Sequence, residues 1–410
     1  MKVLFINHTE QHGGAAIAAN RLFSSLEKKN INVRYLVANR TSSRKNVLTS
    51  SFSRNLLYKK FYEYGNVLPL VFYKEVNRKN FSTSIVPNNS VVNDINKLNP
   101  DIVHIHWALN GFLDISSLGK IKRPVVWTLH DMWPITGGCH HSFDCGKYRN
   151  FCNSCPVLNS SKNNDLSSAI FKQKKKKWKF VNIHFVALNL WMKELVKSST
   201  IYNNNIYGND ISIIPNGIDR KIFYKRITTD ARKFFNLPQD KKLVLIITNS
   251  IDNPFKGYGQ IKEELHDFIK ENNDYEIVMV GNKRKEVSFK VIDVGYINDE
   301  TILATLYSAV DVLLAPSIAD NLPNAIIESI ACGTPVVSTR VGGIPDIIDH
   351  KINGYLLKKK EADIVSGLKW VLENNNYKKL TDNAIKKSKV FNIEDTAESY
   401  INLYKRIYKK

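Results

Sequence analysis

Residues 316–343 read PSIADNLPNAIIESIACGTPVVSTRVGG. The run sets two carboxylates, Asp320 and Glu328, around the start of a helix and follows them with a short buried strand. Pro323 suits the first helical turn, which leaves Asp320 on the loop before the helix and Glu328 about a turn and a half inside it. One pocket can then hold both. Two acceptor-only groups beside a helix N-terminus, whose unpaired backbone N–H groups attract anions, suit a ligand with hydroxyls at two places and phosphate between them. A nucleotide sugar is such a ligand.

Outward from this run, short unalternating apolar segments recur with helical stretches between them. In the first half they are residues 3–6, 33–37, 102–105, 125–129 and 185–188, and in the second 243–248, 277–280, 312–315 and 335–338. Such runs indicate parallel strands covered on both faces. A chain of 410 residues exceeds one ordinary core and divides naturally into two domains of about 200 residues. The expected fold is therefore α/β, with two facing Rossmann-like doubly wound domains. The polar stretch 203–210 places the connection near 203–225, giving an N-terminal domain 1–205 and a C-terminal domain 206–390. Ligands of open α/β sheets lie beyond the carboxyl ends of the strands, so a cleft between the domains is expected.

Against 38 Asp and Glu stand 59 Lys and Arg, a formal charge of +21. That excess calls for an acidic partner. Residues 53–79 mix Phe61, Tyr62, Phe72 and Tyr73 with Lys59, Lys60, Lys74, Arg78 and Lys79, and residues 171–180, FKQKKKKWKF, do so more densely. Interfacial aromatics and lysines point to an anionic membrane surface, with Trp178 and Phe180 as inserting groups. Uniform basicity without an aromatic recognition motif speaks against nucleic acid. No run of 18 apolar residues occurs. The opening MKVLFINHTEQHGG reads as a strand and turn rather than a signal peptide, so the expected location is cytoplasmic, peripheral at the inner membrane face.

HGGAAIAANRL near the N-terminus, TLHDMWPITGGC in the middle, IPNGID, FKG and the run 316–343 together resemble family 4 glycosyltransferases, retaining enzymes of GT-B architecture, over nearly the whole chain. The NLPN and HDMWPITGG wording is similar to the branch that builds bacterial surface polysaccharides. The resemblance implies a nucleoside-diphosphate sugar donor in the C-terminal half and an acceptor, a lipid-linked oligosaccharide, in the N-terminal half. It also implies that a final helix, 391–410, crosses back to the first domain. Glu328 matches the second Glu of the family's Glu-seven-Glu grip, and Asp320 stands where the first is expected, one methylene and about 1.5 Å shorter.

Gly13 and Gly14 follow the first strand and open a helix at 15–26, where backbone N–H groups can approach a phosphate or sugar. Lys256 is the cation expected to face the diphosphate. The Arg that the family often places five residues earlier or directly before it is replaced by Ile251 and Phe255, with Lys283 or Arg284 as candidate substitutes. Asn321, Leu322 and Asn324 complete the donor set. No Asp-x-Asp occurs, so the usual carboxylate bridge to a divalent metal is missing; catalysis is expected to need no cofactor, with charge stabilised by Lys256, backbone amides and helix N-termini. The resemblance places the His130 backbone carbonyl beside the reacting carbon, with Asp131 orienting neighbouring groups. His130 lacks the activated Ser or Cys of a nucleophilic triad. His104, His106 and Trp107 are read as lining the acceptor side.

Four of the five cysteines cluster, at Cys139, Cys145, Cys152 and Cys155. The Cys152-x-x-Cys155 pair has zinc-knuckle spacing while the other two are spread more widely, so a structural zinc, free thiols and a redox pair all stay open, with zinc favoured. Cys332 reads as a small core residue. Two other functions remain in view. A nucleotide-sugar epimerase of the same architecture needs acid and base carboxylates that the sequence does not supply, and a non-catalytic basic binding protein draws on the charge and the altered Arg and Glu positions.

Overall fold

The computed structural model describes residues 1–409 except 75, 204–210, 249–252, 282–289, 359–362, 374 and 376. Ile251, Lys283, Arg284 and most of the polar stretch 203–210 therefore lie outside the described residues.

Every apolar run becomes a parallel strand. The first sheet holds β1 (Lys2–Thr9), β2 (Asn32–Asn39), β3 (Val47–Thr49), β4 (Ile102–Ile105), β5 (Val125–Leu129), β6 (Ile183–Ala187) and β7 (Ser212–Ile213), in the order β3-β2-β1-β4-β5-β6-β7. The second holds β8 (Lys242–Ile247), β9 (Tyr275–Val280), β10 (Val291–Gly295), β11 (Val312–Ala315), β12 (Val336–Thr339) and β13 (Gly354–Leu357), in the order β10-β9-β8-β11-β12-β13. In each sheet the first strand pairs on both sides, β1 with β2 and β4, β8 with β9 and β11. Chain direction across the sheet reverses there, which makes the carboxyl ends of these strands the natural place for a ligand. The architecture is two Rossmann-like domains, as the pattern of runs requires.

The chain divides into unit 1, Met1–Pro215 with Thr396–Lys410, and unit 2, Asn216–Asp395. This boundary lies after the expected 205/206, because β7 pairs with β6 and so closes the first sheet. The returning segment likewise starts later than 391. Ile218 and Phe391 are bonded within unit 2, N to O, at 2.8 Å. The helix Ile393–Tyr408 then delivers Tyr400 and Tyr404 to the core of unit 1, both buried.

Two structural findings correct the membrane reading of residues 171–180. Phe171, Lys174 and Trp178 are fully buried, and the Trp178 indole donates to the Ile115 carbonyl at 2.9 Å. Of the aromatic residues proposed to insert there, Phe180 alone is exposed. The other segment behaves differently. Along the helix Leu56–Val67 and the 3-10 turn Leu68–Phe72, Leu57, Phe61, Tyr64 and Leu68 recur on one helix face and are exposed, and Phe72 is 84 % exposed. Among the described residues no helix is long and apolar enough to cross a membrane.

Candidate functional site

In unit 2 the site is built from three loops at the carboxyl ends of β8, β11 and β12 and from the helix Asn324–Ala331 that follows the second of them. The loop after β11 is clamped from both sides: Ile318 N donates to Phe255 O at 2.8 Å, and Gly343 N to Asp320 O at 3.4 Å. Two glycines make this approach possible. A Cβ on Gly257 (φ 73°) would lie 2.0 Å from the Pro316 carbonyl oxygen, and one on Gly342 (φ 55°) 1.7 Å from that of Asp320; only glycine fits such contacts and such backbone angles.

The clamp sets Lys256 Nζ 2.7 Å from Asp320 Oδ2. The cation and the shorter carboxylate thus hold one another. An ammonium has three donors and a carboxylate about four acceptor positions, so each keeps capacity for a ligand. Pro323 caps the helix Asn324–Ala331 instead of lying in its first turn. Asn321, Leu322 and Glu328 are buried, and Glu328 Oε2 accepts a hydrogen bond from Tyr307 OH at 2.9 Å. Asn324 Oδ1 takes one from Asn216 Nδ2 at 3.2 Å. Tyr307 had no signal in the sequence motifs, whereas Asn216 lies within IPNGID without having been singled out there.

In unit 1 the residues gather after β1, β4 and β5. Gly13 has φ 93°, precedes the helix Gly14–Lys28, and has open space where a Cβ would stand. Asp131 is an orienting group in full use: Oδ2 accepts from the Trp107 indole at 3.0 Å and pairs with His140 Nδ1 at 2.8 Å, while Oδ1 accepts from Trp133 N at 2.8 Å. Burial alone would raise its pKa, but the His140 charge and these hydrogen bonds outweigh it and hold the carboxyl down at about 2. His130 Nε2 meets His106 Nδ1 at 3.0 Å. Burial lowers His130 to about 4 and His106 well below its ordinary value, so both rings are neutral at pH 7. The His106 Nε2 is buried without a hydrogen-bond partner among the described residues.

His104 does not belong with this group. Its Nε2 meets Thr128 Oγ1 at 2.8 Å and its Nδ1 meets Tyr404 OH at 2.6 Å, and the ring has no solvent exposure. It joins the sheet to the returning helix, and the expectation that it lines the acceptor side is corrected. Alternation along β4 put it on the same face as His106, with ring centroids 4.2 Å apart, but one step deeper. His140 and His8 were missed. His140 stands beside the quoted HDMWPITGGC, and His8, buried next to Trp107, belongs to the strand preceding Gly13.

The four clustered cysteines form no disulfide and line one cavity of about 20 Å³. Among the described residues no three His, Cys, Asp or Glu side chains stand in a ready-made metal-holding arrangement. Cys332 is a buried core residue of unit 2.

The profile described as Glycosyltransferase Family 4 matches residues 12–221, and that of Glycosyl transferases group 1 matches 241–374. N-acetyl-alpha-D-glucosaminyl L-malate synthase of Bacillus anthracis is 27 % identical over 36 % of this chain and 40 % of its own length. An uncharacterized glycosyltransferase of Methanocaldococcus jannaschii is 24 % identical over 74 % of this chain and 75 % of its own. WcaC of Escherichia coli, named for colanic acid biosynthesis, is 24 % identical over 64 % and 65 %. The chain thus spans between two fifths and three quarters of the length of these curated relatives. Among solved structures, the sucrose-phosphate synthase of Thermosynechococcus elongatus covers all of both chains at a TM-score of 0.70 and 16 % identity. HepE of Anabaena, solved with UDP and glucose, covers 99 % of this chain and 100 % of its own at 0.65 and 14 %.

Proposed function

This chain belongs to glycosyltransferase family 4, and we propose that it moves a hexose, with retention of configuration, from a nucleoside-diphosphate sugar to a hydroxyl of a lipid-linked oligosaccharide in bacterial surface polysaccharide synthesis. The observation that carries the reading is the Lys256–Asp320 pair clamped at the carboxyl ends of β8 and β11, with buried Glu328 on the helix that follows. Glu328 accepts from the ribose hydroxyls and Asp320 from the sugar. The remaining Lys256 donors and the N-terminus of the helix Asn324–Ala331 meet the diphosphate and its developing charge.

Within unit 1, His130 is neutral at pH 7, so its ring brings no positive charge to the group it forms with His106. Asp131 holds the Trp107 and His140 rings in place and so positions the acceptor wall. The sequence offers no Asp-x-Asp, and on this reading the leaving group departs without a divalent metal. HepE was solved with UDP and glucose, which supports a uridine nucleotide as the first donor probe. The exposed apolar face of the helix Leu56–Val67, with exposed Lys60, Lys74, Arg78 and Lys79 close by in the chain, supports contact with an anionic membrane, at the inner face where such acceptors are presented.

The test is incubation of pure protein with a panel of nucleotide sugars, reading slow donor hydrolysis and calorimetric binding. One donor should be hydrolysed and bound. Binding without any hydrolysis or transfer favours a non-catalytic binding protein; no binding to any member of the panel removes the donor reading altogether.

A further inference from the structure

Between Gly137 and Leu158 the chain has little regular structure. It contains two 3-10 turns, Lys147–Arg149 and Pro156–Leu158, and among the described residues no α-helix or multi-residue strand. Yet the segment is ordered around one point. Cys139, Cys145, Cys152 and Cys155 line a single cavity of about 20 Å³, large enough for an ion or one water. Cys139, Cys152 and Cys155 are buried and Cys145 is half-buried. The chain packs against them so closely that a Cβ on Gly137 would lie 2.7 Å from that of Cys152.

A backbone donor already points at one of the sulfurs. Gly137 N lies 3.2 Å from Cys152 Sγ. Such donors gain strength when the acceptor is a thiolate. Ser154, inside the Cys-x-x-Cys, adopts φ 38°, a left-handed turn that a β-carbon disfavours and that curls the two cysteines toward one centre.

A second observation concerns charge. Lys174 is fully buried. Its ammonium donates to the carbonyls of Trp133 and, at 3.0 Å, Thr136, and lies 3.4 Å from the centre of the Trp133 ring. Among the described residues no carboxylate stands at ion-pair distance from it. Burial works against its charge, and the groups that favour the ammonium are the sulfurs of Cys152 and Cys139 and, after them, the Asp131 carboxylate; a buried cation with no directly paired carboxylate is costly by several kcal/mol. Asp165 fixes the two parts together: its Oδ2 accepts from Cys155 N at 2.8 Å, and its Oδ1 caps the helix that carries Lys174.

We propose that Cys139, Cys145, Cys152 and Cys155 bind one zinc ion as a structural tetrathiolate, with Lys174 as its buried counter-cation. Four thiols release four protons to solvent; four thiolates and Zn²⁺ carry a net charge of two minus, which the ammonium half balances. An all-sulfur, tetrahedral set selects zinc over the hard divalent ions. The thiols are not preformed in ligating positions, so the ion draws them in and completes the order of the segment, as metals do where the free site is loose.

Elemental analysis of the full chain purified under reduction is expected to find about one zinc per chain. Cobalt exchanged into the protein should give thiolate charge-transfer absorption with the intense visible bands of a tetrahedral site. Cys332→Ala, in the other unit, should keep the metal, and Cys145→Ser, at the most open position, should lose it faster to a chelator. Lys174→Met is the discriminating variant: it should weaken zinc retention about 10- to 100-fold without lowering the stability of the metal-stripped protein. Metal content near zero with all thiols reactive overturns the proposal, as does iron in place of zinc, or a Lys174→Met protein that holds zinc as the parent does.

Discussion

Replacing Glu328 separates its binding role from its structural one, because the carboxylate is buried and takes a hydrogen bond from a tyrosine hydroxyl that is itself without solvent exposure. Glu328→Gln keeps an oxygen for Tyr307 and removes the charge. Hydrogen bonds to a charged group contribute about 1.5–3 kcal/mol against 0.5–1.5 for neutral ones, so donor affinity should fall about 5- to 15-fold while the thermal midpoint stays within a few degrees. Glu328→Ala should cost about 10- to 150-fold in affinity. It also removes the Tyr307 partner, at roughly 1–3 kcal/mol of stability, which in a domain of this size lowers the midpoint by about 2–12 °C. Calorimetry with UDP-glucose, or whichever nucleotide sugar is hydrolysed, reads the first quantity and a melting scan the second. Unchanged affinity in Glu328→Gln, or a midpoint loss as large as that of the Ala variant, would refute a ribose-binding role and leave Glu328 a structural partner of Tyr307.

Burial holds His8 and His130 at about 4, below the model-peptide 6.5, so the unfolded chain takes up protons that the folded one refuses. Stability should be full above pH 6.5 and fall toward pH 4 by up to about 3 kcal/mol per histidine, with His130→Asn flattening the profile; a midpoint constant from pH 7 to 4 contradicts this. Transfer should survive chelation of magnesium and manganese, and activity that vanishes and returns with manganese would rule out the Lys256 account. Gly342→Ala forces the Asp320 carbonyl away and should abolish donor binding at roughly 1–3 kcal/mol of stability, whereas retained affinity means the clamp is not needed. Binding to anionic vesicles should drop when Leu57, Phe61 and Phe72 become Ser, and barely change when Lys175, Lys176 and Lys177 do; the reverse pattern returns the membrane face to the lysine-rich helix.

The two sheets were legible because fully buried parallel strands leave unbroken β-branched runs such as Val125–Leu129. The strands that were missed are short or lie at sheet margins: β3, β7, β10 and β13 include polar or glycine positions such as Thr49, Ser212, Asp293 and Gly354. Pairing across the chain is invisible to a local pattern, which is why the domain boundary came too early. In the candidate site, spacing singled out Asp320 and Glu328 and the FKG motif singled out Lys256, but neither could show that Lys256 and Asp320 bind each other across more than sixty positions of chain. Nor could it separate FKQKKKKWKF from a solvated face. Lys and Trp look amphipathic in sequence, and only the packing against Ile115 and Trp133 shows that the interior received them.

Tyr400 and Tyr404 complete a buried polar chain that begins at His104 and Thr128, yet they are synthesised after the whole of unit 2. Until they emerge from the ribosome, the His104 imidazole and the Thr128 hydroxyl have only each other and lack their tyrosine partners, in a core that is otherwise finished. Unit 1 is therefore the first unit to begin folding and the last to finish. During translation it must remain soluble in an open form, and a nascent chain stalled just short of residue 396 should present this seam to chaperones and proteases even though its second domain is already complete.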